Sequence, residues 1–77
     1  MTSRYDYDMD IVAMPKRELA QMYAPDLTPR AAVNRLMDWI RRHPTLTDEL
    51  SRTGYRKTAR VFTPRQVHLI LDYLGEP

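Results

Sequence analysis

The sequence has no cysteine, only two glycines and no long apolar run, and each absence narrows what the protein can be. Without cysteine there is neither a disulfide framework nor a thiolate metal site. Two glycines are too few for a loop that cradles phosphate groups. No apolar segment is long enough to cross a bilayer, and the acidic start lacks the apolar run of a signal peptide. We therefore predict a cytoplasmic protein that has no cofactor and no membrane contact.

Residues suited to catalysis or metal binding are also scarce. His43 and His68 are the only histidines, and no carboxylate is spaced to complete a metal site with His43. Asp72 follows His68 by four residues, which is the spacing of a surface pair on a helix. Ser3 and Ser51 have no neighbouring histidine that could activate a hydroxyl. We predict no catalytic residues and no metal site, so a binding protein is favoured over an enzyme.

Charge is distributed unevenly along the 77 residues, which are enough for one domain. The formal net charge is only +2, and ten of the twelve basic residues are arginine. Residues 30–65 hold nine basic residues against three acids, a local net charge of +6. Arginine binds phosphates and base edges with a planar, five-donor group. This distribution favours a nucleic-acid partner, although a solvated charged surface is the simpler interpretation.

The first residues differ from the rest of the chain because they are acidic. Tyr5 to Ile11 alternates apolar and acidic residues, and this period of two predicts an edge strand within residues 7–13. A disordered acidic tail is the alternative for residues before Asp10. We therefore divide the chain into an acidic segment, residues 1–9, which is either disordered or an edge strand, and a single domain, residues 10–77.

Helical periodicity and capping residues predict four helices. The first covers residues 15–23, with Pro15 at its first position, and the second covers residues 28–43, capped by Thr28 and closed by Pro44. A short third helix covers residues 47–53. The fourth begins with a capping box at residues 63–66 and stops at Gly75. Their apolar positions predict a core made of Leu19, Met22, Tyr23, Leu27, Val33, Leu36, Met37, Ile40, Leu46, Leu50, Tyr55, Phe62, Val67, Ile70, Leu71 and Leu74.

Residues 55–62 link the third and fourth helices and are strongly basic. They fit two short strands around a turn near Lys57, which predicts a basic β-hairpin. An extended linker is the alternative, because no Asn-Gly or Asp-Gly pair marks the turn.

The order strand, helix, turn, helix, hairpin is similar to excisionase-like and MerR-like DNA-binding domains. The first two helices are separated by about four residues, the connection length of a helix-turn-helix. The outer face of the second helix would then enter a groove of duplex DNA, where arginine reads guanine and asparagine reads adenine. The predicted DNA-binding residues are Arg30, Asn34 and Arg35 at the bases and Arg41, Arg42, Arg56, Lys57 and Arg60 at the phosphates.

Two alternatives to DNA binding remain open. Asp38 lies within the basic face, where it would repel phosphates unless it pairs with Arg35 or Arg42, and the arginines would then form only intrahelical salt bridges. Trp39, with Tyr5, Tyr7 and Tyr73, could instead form an aromatic rim on a protein–protein interaction module that binds no nucleic acid, although core packing is the simpler interpretation of Trp39. The sequence indicates neither the partner nor the oligomeric state.

A family resemblance covers nearly the whole chain. The run ELAQMYAPDLTPRAAVNRLMDWI, the tripeptide GYR and the ending RVFTPRQVHLILDYLGEP resemble a family of short proteins from Bacteroidota, catalogued as a domain of unknown function. The resemblance implies a compact helical domain with a small hairpin, and it implies no activity. The predicted fold class is therefore mainly α: a small winged helix-turn-helix-like domain of about four helices with a short antiparallel β-hairpin.

Overall fold

The computed structural model describes residues 13–77, which contain four helices and one two-stranded antiparallel sheet. The mainly α fold class is confirmed. The acidic segment and all but the last residue of the predicted edge strand lie outside the described residues. In chain order the elements are β1 (Met14–Pro15), α1 (Lys16–Tyr23), α2 (Pro29–Arg41), α3 (Pro44–Arg52), β2 (Val61–Phe62) and α4 (Pro64–Leu74).

Proline marks the start of every helix. Pro29, Pro44 and Pro64 occupy the first turn of α2, α3 and α4, where the missing N–H would have no helical partner in any case. Pro15 is the residue immediately before α1 rather than its first helical residue. Proline therefore sets the boundaries of the helices more consistently than any other residue type.

The predicted start of α3 at residue 47 is wrong, because Pro44 already begins this helix. The ring of Pro44 disfavours helical geometry at His43, whose φ of −114° and ψ of 92° are extended. Proline thus ends α2 at Arg41 and starts α3 within the same three residues. Thr47, where the helix was predicted to begin, lies within its first turn and donates a hydrogen bond from its hydroxyl to the Ile40 carbonyl at 2.9 Å.

The antiparallel sheet is present, but the predicted hairpin within residues 55–62 is wrong. Met14 pairs with Phe62 and Pro15 with Val61, and the Lys16 amide continues the ladder to the Arg60 carbonyl at 2.9 Å. No strong hairpin turn directs local pairing in residues 55–60. β2 instead pairs with β1, which directly precedes α1, and this pairing accompanies the full burial of Phe62.

The core lies between α1, α2, α3 and α4, and β2 contributes Phe62 to it. The prediction that Met22 belongs to it is wrong, since Met22 is 49% exposed. The buried face of α1 follows Lys16, Leu19, Ala20 and Tyr23, which places Met22 to one side. The fully or nearly fully buried apolar residues are Leu19, Ala20, Ala32, Leu36, Ile40, Leu46, Leu50, Phe62, Val67 and Ile70.

The start of α4 is fastened to the end of α3. Thr63 and Gln66 form the predicted capping box, with N–O distances of 3.0 and 3.2 Å. The side-chain Nε2 of Gln66 also donates to the Thr53 hydroxyl at 2.8 Å, and Gln66 is only 4% exposed. Gly54 follows α3 with a φ of 87°, a left-handed conformation that glycine adopts without strain.

Candidate nucleic-acid interface

All eight predicted DNA-binding residues have exposed side chains, and they lie on two parts of the molecule. Five belong to α2 or the residue that ends it, and three belong to the segment between α3 and β2. The α2 group is Arg30, Asn34, Arg35, Arg41 and Arg42; the second group is Arg56, Lys57 and Arg60.

The α2 group is divided between two sides of the helix. At about 100° per residue, Arg30, Asn34 and Arg41 lie within one 40° sector, and Arg35 and Arg42 lie about 100° further round. Asn34 and Arg41 line a groove next to α3, whereas Arg42 lines a different cleft beside Trp39. The outer surface of α2 is therefore a broad basic face rather than a single narrow stripe.

Asp38 lies between these two sides and pairs with an arginine on each. Its carboxylate is 3.1 Å from the guanidinium of Arg41 and 3.1 Å from that of Arg42. All three side chains are exposed enough for water and salt to screen the pairs, so each pair contributes only tenths of a kcal/mol. Of the partners predicted for Asp38, Arg42 is correct, and Arg41 takes the place of Arg35.

The other basic residues of the predicted site are absent from the ion pairs formed within residues 13–77. Within residues 13–77, the ion pairs involve Asp38, Asp48 and the His68–Asp72 pair, and none involves Arg30, Arg35, Arg56, Lys57 or Arg60. Within the described residues, intrahelical salt bridges therefore account for Arg41 and Arg42 but not for Arg30 or Arg35.

Lys57 approaches α2 because of the turn that follows α3. The Tyr55 amide donates to the Leu50 carbonyl at 3.4 Å, and the Ala59 amide donates to the Arg56 carbonyl at 2.9 Å. Lys57 thereby lines the same groove as Asn34 and Arg41. We call this feature the α2–α3 groove; it has a volume of about 370 Å³ and is lined by Lys16, Val33, Asn34, Met37, Ile40, Arg41, Thr47, Leu50, Tyr55 and Lys57.

Lys16 is the residue of this groove that the sequence interpretation missed. Lys16 as a whole residue is 7% exposed, and its Nζ donates to the Lys57 carbonyl at 2.9 Å. The ammonium also lies 4.8 Å from the Tyr55 ring centroid and 5.8 Å from that of Phe62. Burial lowers the pKa of Lys16 below its ordinary value of 10.5, because the charged form is partly removed from water.

A helical signal for Lys16 was present in the sequence. Lys16, Leu19, Ala20 and Tyr23 follow the i, i+3, i+4, i+7 spacing of one helix face. Lysine at such a position is ordinarily assigned to solvent, which is why its burial was not predicted. The contact with the Lys57 carbonyl joins residues 41 positions apart and has no local signal at all.

Trp39 packs at the other side of α2, away from the groove. It is half-buried, and its ring meets that of Tyr23 edge to face at a centroid distance of 6.0 Å. Tyr73 is 36% exposed and donates a hydrogen bond to Glu49 at 2.8 Å, which raises the pKa of Tyr73. Trp39 and Tyr73 thus each contact another helix, while Tyr5 and Tyr7, the other tyrosines of the predicted aromatic rim, lie outside the described residues.

Within the described part of the chain, no group of three potential ligands is placed to hold a metal ion. His68 and Asp72 lie 3.0 Å apart on α4, at the predicted surface-pair spacing. None of the helices in residues 13–77 combines the length and the apolar character needed to cross a membrane.

These features define a small helical domain with a basic helix face and a partly apolar groove beside it. The chain belongs to the family described as Domain of unknown function (DUF4248), whose match covers residues 11–77. The predicted family resemblance is thus confirmed at the level of the family. No curated protein and no solved structure matches the chain.

Proposed function

We propose that this protein binds duplex DNA without catalysing a reaction, as a transcriptional regulator or an accessory factor of a mobile element. The observation that carries the proposal is the exposed first half of α2. There Arg30, Asn34 and Arg35 face solvent, and neither arginine forms an ion pair within residues 13–77. Such side chains can form bidentate contacts to guanine and adenine in the major groove.

The arrangement of α1 and α2 supports a helix-turn-helix role. The two helices pack against each other through residues such as Leu19 and Leu36, and residues 24–28 connect them. The Leu27 amide donates to the Ala24 carbonyl at 3.1 Å, and Gln21 donates to the Leu27 carbonyl at 3.2 Å. This fixed turn would hold α2 in the position of a recognition helix, whose N-terminal residues contact base edges.

The basic turn after α3 takes the place of a wing in this proposal. Arg56, Lys57 and Arg60 would contact phosphates on the flank of α2, together with Arg41 and Arg42. Asp38 cancels part of the charge of Arg41 and Arg42. We therefore expect these two arginines to contribute less to DNA affinity than the three basic residues of the turn.

Salt dependence of binding tests the proposal directly. Five phosphate contacts predict that log K falls with log salt at a slope of about −4 to −5 for a duplex oligonucleotide. Fluorescence anisotropy with labelled duplex at several salt concentrations gives the slope. Replacing Lys57 with Ala should make it shallower by about one unit.

Arg52 supplies a matched control for this experiment. It is an exposed arginine on α3 that pairs with Asp48 at 3.1 Å and lies outside the proposed interface. Arg52→Ala changes the net charge as Lys57→Ala does, but should leave the slope unchanged. A flat salt response of the unaltered protein, or absence of binding at low salt, would overturn the proposal.

The other finer predictions remain compatible with this function. A Bacteroidota origin and a cytoplasmic location, both predicted from the sequence, fit a bacterial DNA-binding protein. The second candidate function is a protein–protein interaction module that binds no nucleic acid. The α2–α3 groove favours this candidate, because its lining combines apolar side chains with a buried lysine.

A further inference from the structure

The α2–α3 groove has a composition that binding of DNA phosphates does not explain. Half of its ten lining residues are apolar or aromatic: Val33, Met37, Ile40, Leu50 and Tyr55. Phosphate contacts need exposed cations and gain nothing from an apolar lining. The groove therefore fits a ligand that brings apolar side chains as well as negative charge.

Lys16 supplies a buried cation in this groove. Among residues 13–77 it forms no ion pair, and its Nζ donates to the Lys57 carbonyl. An ammonium has three donors, and buried charges are normally paired because removing them from water is costly. The Lys57 carbonyl fixes the position of Nζ, which leaves donor capacity for one anionic group of a ligand.

The shape of the site distinguishes a carboxylate from a duplex phosphate. Lys16 is 93% buried, since only 7% of it is exposed, and it lies beside the Tyr55 ring. An anion reaches such a group most easily on a narrow stem, as in the side chain of aspartate or glutamate. A phosphate in duplex DNA is flanked by two sugars and follows a broad, stiff backbone, which suits exposed rim cations instead.

We propose that the α2–α3 groove binds an acidic, apolar peptide segment of a protein partner. One carboxylate of the segment accepts a hydrogen bond from the Lys16 ammonium, and further acids pair with Arg41 and Lys57. Apolar side chains of the segment pack on Met37 and Tyr55. This is the helix-in-groove mode of recognition, with charge complementarity setting the orientation. The proposal stands independently of DNA binding.

A synthetic peptide tests the groove directly. The probe is a twelve-residue, end-blocked peptide of leucine and glutamate, with leucines at the i, i+3, i+4, i+7 spacing. It is titrated into the full 77-residue chain, and binding is followed by backbone and lysine side-chain NMR. We expect saturable shifts at Lys16, Met37 and Tyr55, and a dissociation constant about tenfold or more weaker for a matched peptide with glutamine in place of glutamate.

Two variants connect any binding to the buried ammonium. Lys16→Met keeps an unbranched apolar side chain, so the fold should persist, and we expect affinity for the glutamate peptide to fall about tenfold or more. The loss should nearly disappear for the glutamine peptide. Arg52→Met, outside the groove, should leave both affinities unchanged. Circular dichroism of each variant confirms that the helices are retained.

Several outcomes would overturn the proposal. One is no binding of the glutamate peptide at millimolar concentration; others are equal binding by Lys16→Met and shifts located away from the groove. Shifts of the Lys16 side chain caused by duplex DNA would assign the groove to nucleic acid. If replacing Asp6, Asp8 and Asp10 with Asn changes the same groove signals without peptide, the occupant is the acidic segment of the chain itself.

Discussion

Helices α2 and α4 both begin with the tripeptide Thr-Pro-Arg, yet the two starts have different surroundings. In α4, Gln66 closes a capping box and reaches Thr53 at the end of α3. In α2, the equivalent third helical residue is Ala31, and the cap is one exposed hydrogen bond from its amide to Thr28 at 3.2 Å.

The same Thr-Pro-Arg helix start therefore serves different purposes in α2 and in α4. At the α4 start residues 63–65 are exposed, but Gln66 is buried and its hydrogen bond to Thr53 joins this start to the end of α3. The α2 start faces solvent with Arg30 and Asn34, and nothing in residues 13–77 fastens their side chains. We interpret the α4 start as structural and the α2 start as available for a ligand.

Shortening a buried apolar side chain should have the largest effect on stability. We expect the loss to be similar in α2 and α4. Leu36 in α2 and Ile70 in α4 are fully buried. Replacing either with Ala leaves a cavity, so we expect losses of about 2–5 kcal/mol in the free energy of unfolding, measured by urea denaturation. A loss below about 1 kcal/mol at only one site would show that the helices do not share one core.

Loss of the Gln66 side chain should be the next largest effect. Gln66→Ala removes both halves of a buried network, and we expect a loss of about 1–3 kcal/mol in thermal or urea unfolding. Gln66→Glu keeps the acceptor for the Thr63 amide and loses the donor to Thr53, so it divides the two contributions. A neutral Gln66→Ala result would remove the distinction between the α4 and α2 starts.

The two capping threonines should differ in the same direction. Thr63→Ala should cost about 1–2 kcal/mol because it also breaks the capping box, whereas Thr28→Ala should cost about 0.5–1 kcal/mol. Thr→Ser at each position keeps the hydroxyl and serves as the control in urea denaturation. Equal costs would contradict the structural role assigned to the α4 start.

The smallest effect concerns pH and the groove beside α2. The pKa of Lys16 is lowered by burial, so the folded protein holds this proton less tightly than the unfolded chain. Burial of the charged form of Lys16 lowers the free energy of unfolding. This penalty is relieved as pH rises from the lowered pKa toward 10.5, so the free energy of unfolding increases over that range. The pKa of Tyr55 is raised by burial, so its contribution falls as pH rises above 10.0. The effect of Lys16 is therefore seen below pH 10.5, and the effect of Tyr55 is seen above pH 10.0.

Lys16→Met isolates the first of these contributions. At neutral pH the variant should equal or exceed the stability of the unaltered protein, because a buried charge has been removed. This advantage should shrink as pH approaches 10.5, and paired urea denaturation curves across that range measure it. An advantage that grows with pH would contradict the placement of Lys16 in the groove.

Local signals predicted most of the helices. The pairing of Thr63 with Gln66, the Thr28 cap and the stop at Gly75 depend on residues within four positions of each other, so the sequence pattern alone indicates them. The largest error in a helix start, at Pro44 rather than residue 47, followed from assigning proline a single role. Proline ends one helix and starts the next when three residues separate them.

Contacts between distant residues were beyond the same patterns. The pairing of Met14 with Phe62 and the hydrogen bond from Lys16 to the Lys57 carbonyl join residues more than 40 positions apart. Both depend on how the helices pack, and no periodicity encodes that. The predicted DNA-binding residues are exposed as expected, but the placement of Asn34, Arg41 and Lys57 around one groove depended on these long-range contacts.

Arg30 and Arg65 provide the most direct test, because each is the arginine of a Thr-Pro-Arg helix start and each is exposed. The measurement is the affinity of Arg30→Ala and Arg65→Ala for the same duplex at one low salt concentration, with urea denaturation as a check on folding. We predict that Arg30→Ala weakens binding about tenfold or more, that Arg65→Ala leaves it nearly unchanged, and that both keep their stability. Equal affinities for the two variants would contradict the assignment of α2 as the binding helix.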